Sequence, residues 1–254
     1  MSETHRIALI SDLHGNAIAL RETLSHIEAL GVDEIVFLGD AATLGVAPAE
    51  TIDLLQRIGC RCILGNHDEY VFDPKLSDGH NDASSIREAI DWCRDVLPRE
   101  HIDFLRGFEA GFVLPLGRGH QLMLYHGSPS SNCVDLLAET APDVFDAQLG
   151  PERATVMSGG HTHVQMVRQH RGTLVVNPGS VGAPFREFVD HGPPAIEPRS
   201  EYATVSAQGA NVSVALHRVE LDRHALAKAA QESANPMRQA LASHYLRTGR
   251  RSTR

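Results

Sequence analysis

The chain predicts an α/β fold: a two-sheet β-sandwich flanked by helices, closed as a single domain. Three observations lead there. Apolar runs alternate with helical repeats through the first third. Paired apolar runs with no long helix between them fill the middle. Short polar clusters flanked by glycine close several of the runs. A chain of 254 residues buries a sizeable core, and 42% hydrophobic with 22% charged residues is the balance of an ordinary globular protein.

Taken in order, RIALIS (6–11) is a short apolar strand. NAIALRETLSHIEAL (16–30) has apolar residues at helical spacing and stops at Gly31. DEIVFLGD (33–40) is again strand-like, PAETIDLLQRI (48–58) is a helix opened by Pro48 and closed by Gly59, and CRCILGN (60–66) is a third strand. Strand, helix, strand, helix, strand predicts parallel pairing through right-handed crossovers. From Glu69 to about Ser85 the composition is loop-like, followed by helices over 83–96 and 98–107. Strand pairs come next, at 111–127 and 154–179, so a mostly antiparallel half is expected after the parallel one. Glu201 to Val219 reads as a hairpin turning at Gly209, and helices follow at 221–232 and 236–246. The expected plan is a motif-bearing core over 6–182, a C-terminal hairpin with helices over 200–246, and a flexible basic tail over 247–254.

Composition narrows the function classes. No apolar run approaches the roughly 20 residues of a membrane span, and the N-terminus lacks a signal-peptide pattern, so a cytoplasmic protein is expected. Cys60, Cys62, Cys93 and Cys133 form no CxxC pair and read as small apolar residues. A net charge of −9 argues against nucleic acid as partner, although bound cations would let an acidic protein accept a phosphorylated substrate. None of these features speaks to oligomeric state.

The chemistry sits where the runs end. They close in Asp12-Leu13-His14-Gly15-Asn16, Gly39-Asp40, Gly65-Asn66-His67-Asp68, His126-Gly127 and Gly160-His161-Thr162-His163. Ligands of open α/β sheets gather at the carboxyl ends of strands. Asp, Asn and His without thiolate suit manganese, iron or zinc better than calcium. Asp-x-His and His-x-His place both side chains on one face of a strand end. A carboxylate from a central strand can bridge two ions about 3.5–4 Å apart, the spacing used for in-line displacement at phosphorus.

In that order, D-x-H, G-D, G-N-H-D, H and G-H-x-H resemble the calcineurin-like metallophosphoesterases, from Ile7 to about Gly182. The short spacing and NPGS (177–180) resemble the small bacterial phosphodiesterases and the diadenosine polyphosphate hydrolases of that superfamily. The resemblance implies the two-sheet sandwich. It also implies one cation held by Asp12, His14 and His163, a second by Asn66, His126 and His161, and Asp40 bridging them. The expected cofactors are two divalent transition metals, manganese first, with iron, zinc and nickel as alternatives. A hydroxide between the metals would attack phosphorus, His67 would act as general acid, and Asp68 would orient His67. The substrate implied is a small phosphorylated molecule, a nucleotide among the candidates, with diester or phosphoanhydride cleavage ahead of monoester cleavage. The alternatives are a nuclease and a metal-bound scaffold like the retromer subunit of the same superfamily.

Many family members carry an arginine a few residues after the G-D carboxylate, where this chain reads Ala41-Ala42-Thr43-Leu44-Gly45. Arg186 is the candidate replacement for that phosphate contact. Asn16, Asn177 and Ser180 are candidates either for substrate contact or for turn geometry. His80, with Asp78 and Asp82, could form a further metal site in the loop. His5, His26, His101, His170, His191, His217, His224 and His244 read as surface or packing residues.

Overall fold

The computed structural model describes residues 4–79, 84–189 and 192–247. Strand β1 (His5–Ile10) leads to α1 (Ala17–Leu30), β2 (Glu34–Phe37), α2 (Pro48–Ile58) and β3 (Arg61–Cys62). β1, β2 and β3 pair in parallel, as the alternation predicts. Asn16 caps α1 by accepting from Ala19 N at 3.1 Å, and Gly31 ends it in the left-handed conformation at φ 61°.

Three helices follow: α3 (Asn66–Phe72), α4 (Ser84–Val96) and α5 (Arg99–Arg106), with a 3₁₀ turn over Pro74–Gly79 between the first two. The second sheet takes β4 (Phe112–Gly117), β5 (His120–Leu124), β6 (Val156–Ser158), β7 (Met166–His170) and β8 (Thr173–Asn177), with α6 (Pro142–Leu149) inserted after β5. The chain then returns to the first sheet as the hairpin β9 (Arg199–Gln208) and β10 (Asn211–Glu220). It closes with α7 (Arg223–Glu232) and α8 (Arg238–Leu246). The strand orders are β10-β9-β1-β2-β3 and β4-β5-β6-β8-β7.

Period-two alternation builds the sandwich. On β1, Ile7 and Leu9 pack with Leu122, Leu124, Val156 and Val176 of the opposite sheet, while Ala8 and Ile10 pack with Leu20, Ile27, Ile52 and Leu55 of α1 and α2. Each such side chain, fully buried, contributes roughly 1.5–3 kcal/mol. On the far face of the second sheet, Met123, Met157 and Val175 meet Phe145 and Leu149 of α6.

The structure corrects the sequence reading in four places. The third strand is two residues long rather than seven, because the chain turns into α3 at Asn66. The segment from Glu69, expected as loop, opens as helix. α6 was not expected. The second half is mostly antiparallel as expected, at β4, β7 and the β9–β10 hairpin, but its centre is not: β5, β6 and β8 pair in parallel. The tail beyond residue 247, His80, Asp82 and His191 lie outside the described residues. Among those residues no helix is long and apolar enough to cross a membrane.

Candidate metal centre

The loops after β1, β2, β5 and β6 meet at one edge of the sandwich. Their backbones are laced together: Asp12 N donates to Gly39 O at 2.9 Å, His14 N to Asp40 O at 3.0 Å, Gly160 N to His126 O at 2.8 Å and Gly182 N to Asp12 O at 3.0 Å. Two ligand groups result, Asp12 with His14 and His163, and Asp40 with His126 and His161. Within each group the ligand atoms lie within 4.8 Å of one another. Asn66 joins the second group, its Oδ1 lying 3.1 Å from His126 Nε2.

Several features fit these groups to cations. His14 Nε2 and His163 Nε2 face each other at 2.9 Å, and His163 Nε2 lies 3.3 Å from Asp12 Oδ1. That Asp12 oxygen is fully buried and accepts no hydrogen bond, a position that a cation would satisfy. The Nδ1 atoms of His14, His126 and His163 sit 3.3, 2.6 and 2.7 Å from the backbone carbonyls of Thr43, Leu38 and Ala183. Donation from Nδ1 leaves each Nε2 lone pair free for a metal. Asn66 Nδ2 donates to the Tyr70 hydroxyl at 3.2 Å, which turns Oδ1 toward the group.

The backbone is strained at the same residues. Asp12, His14, Asp40, His161 and His163 all have positive φ, between 43° and 71°. Each costs about 1–3 kcal/mol, and such strain concentrates at functional sites. Close packing limits the alternatives: a Cβ on Gly65 would lie 2.1 Å from Asp40 Oδ1, and one on Gly160 1.9 Å from Ser11 Oγ.

Electrostatics prepares the donors. Burial would raise both Asp12 and Asp40, but His163 beside the first and His126 and His67 beside the second overcome it and keep both carboxyls ionised. Burial and then His163 push His14 down to about 3, and burial and then His126 push His161 down to about 4, so both rings are neutral, the form a metal ligand needs. For His126 burial opposes the charge, yet Asp40 outweighs it and lifts the group to about 10. His163 is raised in the same way by Asp12.

His67 stands at the rim, half-buried, with its ring 5.1 Å from those of His14 and Tyr70. Its pKa is lowered, by burial first. Its Nδ1 partner is Thr43 Oγ1 at 2.9 Å, and this overturns the role expected of Asp68. The Asp68 carboxylate is 1% exposed and accepts three backbone N–H groups, from Ala41 at 2.8 Å, Asp40 at 2.9 Å and Gly65 at 3.0 Å. It therefore pins the Asp40 loop to the start of α3 and does not orient His67.

Two further candidates are engaged by the protein itself, Asn16 in the turn role that was one of its two readings. Asn16 has both ends of its amide in the framework, accepting from Ala19 N and donating to Gly182 O at 2.9 Å. Arg186, half exposed, gives its Nε to Glu197 Oε1 at 2.5 Å rather than to the ligand groups. Asn177 and Ser180 are turn residues. Asn177 Nδ2 donates to Gly160 O and Thr162 Oγ1, and Ser180 Oγ donates to Asp12 O at 2.7 Å. Sequence reasoning missed Thr43, Tyr70 and Asp135, whose Oδ1 lies 3.4 Å from His161 Nε2. Thr43 and Tyr70 sit between motif residues with nothing in the sequence to mark them.

An α/β sandwich with two carboxylate–histidine groups at its strand ends defines the class of metal-dependent phosphoesterases. Comparison with known proteins agrees. Residues 6–194 match the model of the calcineurin-like phosphoesterase superfamily domain. An uncharacterized protein of Methanocaldococcus jannaschii is 30% identical over 195 residues, covering 70% of this chain and 76% of that protein. In fold, the chain is similar to a metallophosphoesterase from Sphaerobacter thermophilus (TM-score 0.71, 24% identity, 94% of this chain and 98% of that one). It is also similar to a hypothetical protein from Pyrococcus horikoshii OT3 (TM-score 0.73, 20% identity, 87% and 90%). This chain belongs to the calcineurin-like phosphoesterase superfamily, whose members use divalent metal ions to act on phosphorylated substrates.

Proposed function

We propose that the chain hydrolyses phosphodiester or nucleotide phosphoanhydride bonds at a dinuclear centre. Asp12, His14 and His163 would hold one cation, Asn66, His126 and His161 the other, and Asp40 both. The observation that carries this reading is the Asp40 carboxylate, whose Oδ2 lies 3.7 Å from His14 Nε2 of one group and 3.4 Å from His126 Nε2 of the other. When bound, divalent cations supply Lewis acidity that neutralises phosphoryl oxygens and lowers the pKa of water. A donor set of oxygen and imidazole nitrogen without thiolate suits manganese, iron, zinc or nickel, and manganese is the first to test.

His67 is the proton donor. Thr43 Oγ1 holds the ring by Nδ1, leaving Nε2 to deliver a proton to the leaving oxygen. The burial that lowers its pKa makes the protonated ring a stronger acid. Engagement of Arg186 by Glu197 supports a singly charged diester over a monoester dianion, which needs a cationic clamp. All four cysteines are free thiols, which suits a reducing, cytoplasmic setting.

The test is hydrolysis of bis-p-nitrophenyl phosphate by metal-stripped protein titrated with Mn²⁺. The expected result is Mn²⁺-dependent turnover that falls on the order of 10²–10⁴-fold in His67→Ala and is lost in Asp40→Ala. Turnover that ignores both the metal and the two substitutions would contradict the proposal.

A further inference from the structure

We infer that Asn235, in the turn between α7 and α8, is a positioning residue for this hydrolysis: it clamps the turn that carries Thr43 and so sets the orientation of His67 and His14. The inference rests on His67 as the proton donor proposed above.

Asn235 is fully buried, and both ends of its amide are engaged. Nδ2 donates to Leu44 O at 3.0 Å and Gly45 O at 2.7 Å, while Oδ1 accepts from Met237 N at 2.6 Å. Its neighbour Ser233 donates to Val46 O at 3.3 Å and also accepts from Asn235 N at 3.0 Å. Three successive carbonyls of one turn, at residues 44, 45 and 46, are therefore held by two side chains of the helical hairpin.

That turn needs holding. Leu44 has a left-handed φ of 72°, which a branched side chain disfavours. The turn is pressed against the metal loop: a Cβ on Gly45 would lie 1.8 Å from His14 O. Its inner side is laced by Gly15 N donating to Ala41 O and Ala47 N donating to Gly15 O, each at 2.9 Å. Thr43 stands between these clamps. Its carbonyl meets His14 Nδ1 at 3.3 Å, and its hydroxyl meets His67 Nδ1 at 2.9 Å.

Apolar contacts of Leu226, Ala230 and Leu241 with Val46 and Ile18 seat the hairpin on the turn, but they carry no directional preference. The hydrogen bonds of Asn235 and Ser233 direct the carbonyls, and the amide fork alone reaches two of them. Asn235 lies beyond residue 194, where the family match ends.

The decisive substitution is Asn235→Asp, which keeps the shape and the acceptor for Met237 N but turns an oxygen toward two carbonyls. Leu241→Ala is the control, since it loosens the apolar seat of the same hairpin while leaving the amide's bonds to the turn carbonyls in place. The Mn²⁺-loaded full chain is assayed on bis-p-nitrophenyl phosphate across pH. The two-bond ¹H–¹⁵N spectrum of the imidazoles is recorded on metal-free protein. In Asn235→Asp, kcat falls roughly 10–10²-fold while KM stays within about twofold, as expected for misplaced catalytic groups. The pH limb that disappears in His67→Ala also moves, and the His67 ring nitrogens shift toward a tautomeric average. Leu241→Ala, compared at equal loss of Tm, keeps kcat within about twofold and an unchanged His67 pattern. Asn235→Ser, which retains one donor, gives the same changes in smaller measure and serves if the aspartate variant does not fold. An unchanged His67 pattern in either Asn235 variant, or a loss of kcat no greater than that of the Leu241 control, overturns the inference. If His67→Ala left turnover intact, the acid role of His67 would fail, and the ring-nitrogen spectrum would still decide whether Asn235 sets its orientation.

Discussion

Replacing Asp68 with alanine is expected to cost stability far more than chemistry. The carboxylate accepts backbone N–H groups from Ala41, Asp40 and Gly65 and is almost fully buried. Removing it orphans three donors. At about 1–3 kcal/mol for each unsatisfied buried donor, less what water entering the vacated space restores, the loss is about 3–6 kcal/mol. For a chain of this size that lowers Tm by roughly 6–24 °C. Asp68→Asn keeps one acceptor oxygen and sets an amino group against a donor, so its loss should fall between those of alanine and wild type. The assay is thermal unfolding of metal-free protein followed by circular dichroism, with kcat of the Mn²⁺-loaded variants measured well below their Tm. Surviving folded Asp68→Ala should turn over within about 10²-fold of wild type, since a displaced Asp40 loop misplaces a ligand without removing it. A variant with unchanged Tm and a kcat as low as that of His67→Ala would refute the reasoning and restore Asp68 as the partner of His67.

Other outcomes follow from the same geometry. Thr43→Val keeps the shape but deletes the hydroxyl at His67 Nδ1, so kcat should fall about 10–100-fold with metal content unchanged, as elemental analysis beside kinetics would show. Gly65→Ala should abolish metal binding, because the added Cβ would lie 2.1 Å from Asp40 Oδ1 although the extended backbone at φ −86° tolerates alanine. Dialysis against Mn²⁺ measures that loss. Metal uptake should depend on pH through His126. Its pKa is raised from 6.5 to about 10, so at neutral pH a cation must displace its proton. Apparent affinity should then rise about tenfold per pH unit until pH nears that value, with close to one proton released from this site, as calorimetry in buffers of different ionisation enthalpy would record. His163, raised by Asp12, adds to the release at the other group, whereas His14 and His161 are already neutral there and add no proton. An affinity independent of pH would contradict the assignment of His126 as ligand.

The elements that sequence made legible are those whose signals are local. β1, α1, β2 and α2 combine an apolar period with a cap, a first-turn proline or a closing glycine, and they lie where the pattern puts them. The residues of the two candidate groups were legible for a related reason: polar residues beside glycine at the end of an apolar run have few structural explanations, and here five runs end alike. α3 was hidden because NHDEYVF is short and polar. Its helix is fixed by burial of Tyr70 and Val71 and by the Asp68 carboxylate at its start, none of which is a periodic signal. The return of β9 and β10 to the first sheet is a long-range pairing that no window of sequence contains. Asp68 was misread, and Asn16 and Arg186 were left with two readings, for the same reason. Each could serve a substrate or the backbone, and only the positions of Ala41, Gly182 and Glu197 decide between them. Asn235 carries no motif at all.

The central claim is that Asp40 joins two cation sites into one centre. Electron paramagnetic resonance of the metal-stripped protein titrated with Mn²⁺ tests it most directly. The account predicts uptake of two ions per chain and an exchange-coupled signal from the pair, which gives way to the signal of isolated ions in Asp40→Ala. An isolated-ion signal at full loading of the unmodified protein would contradict it.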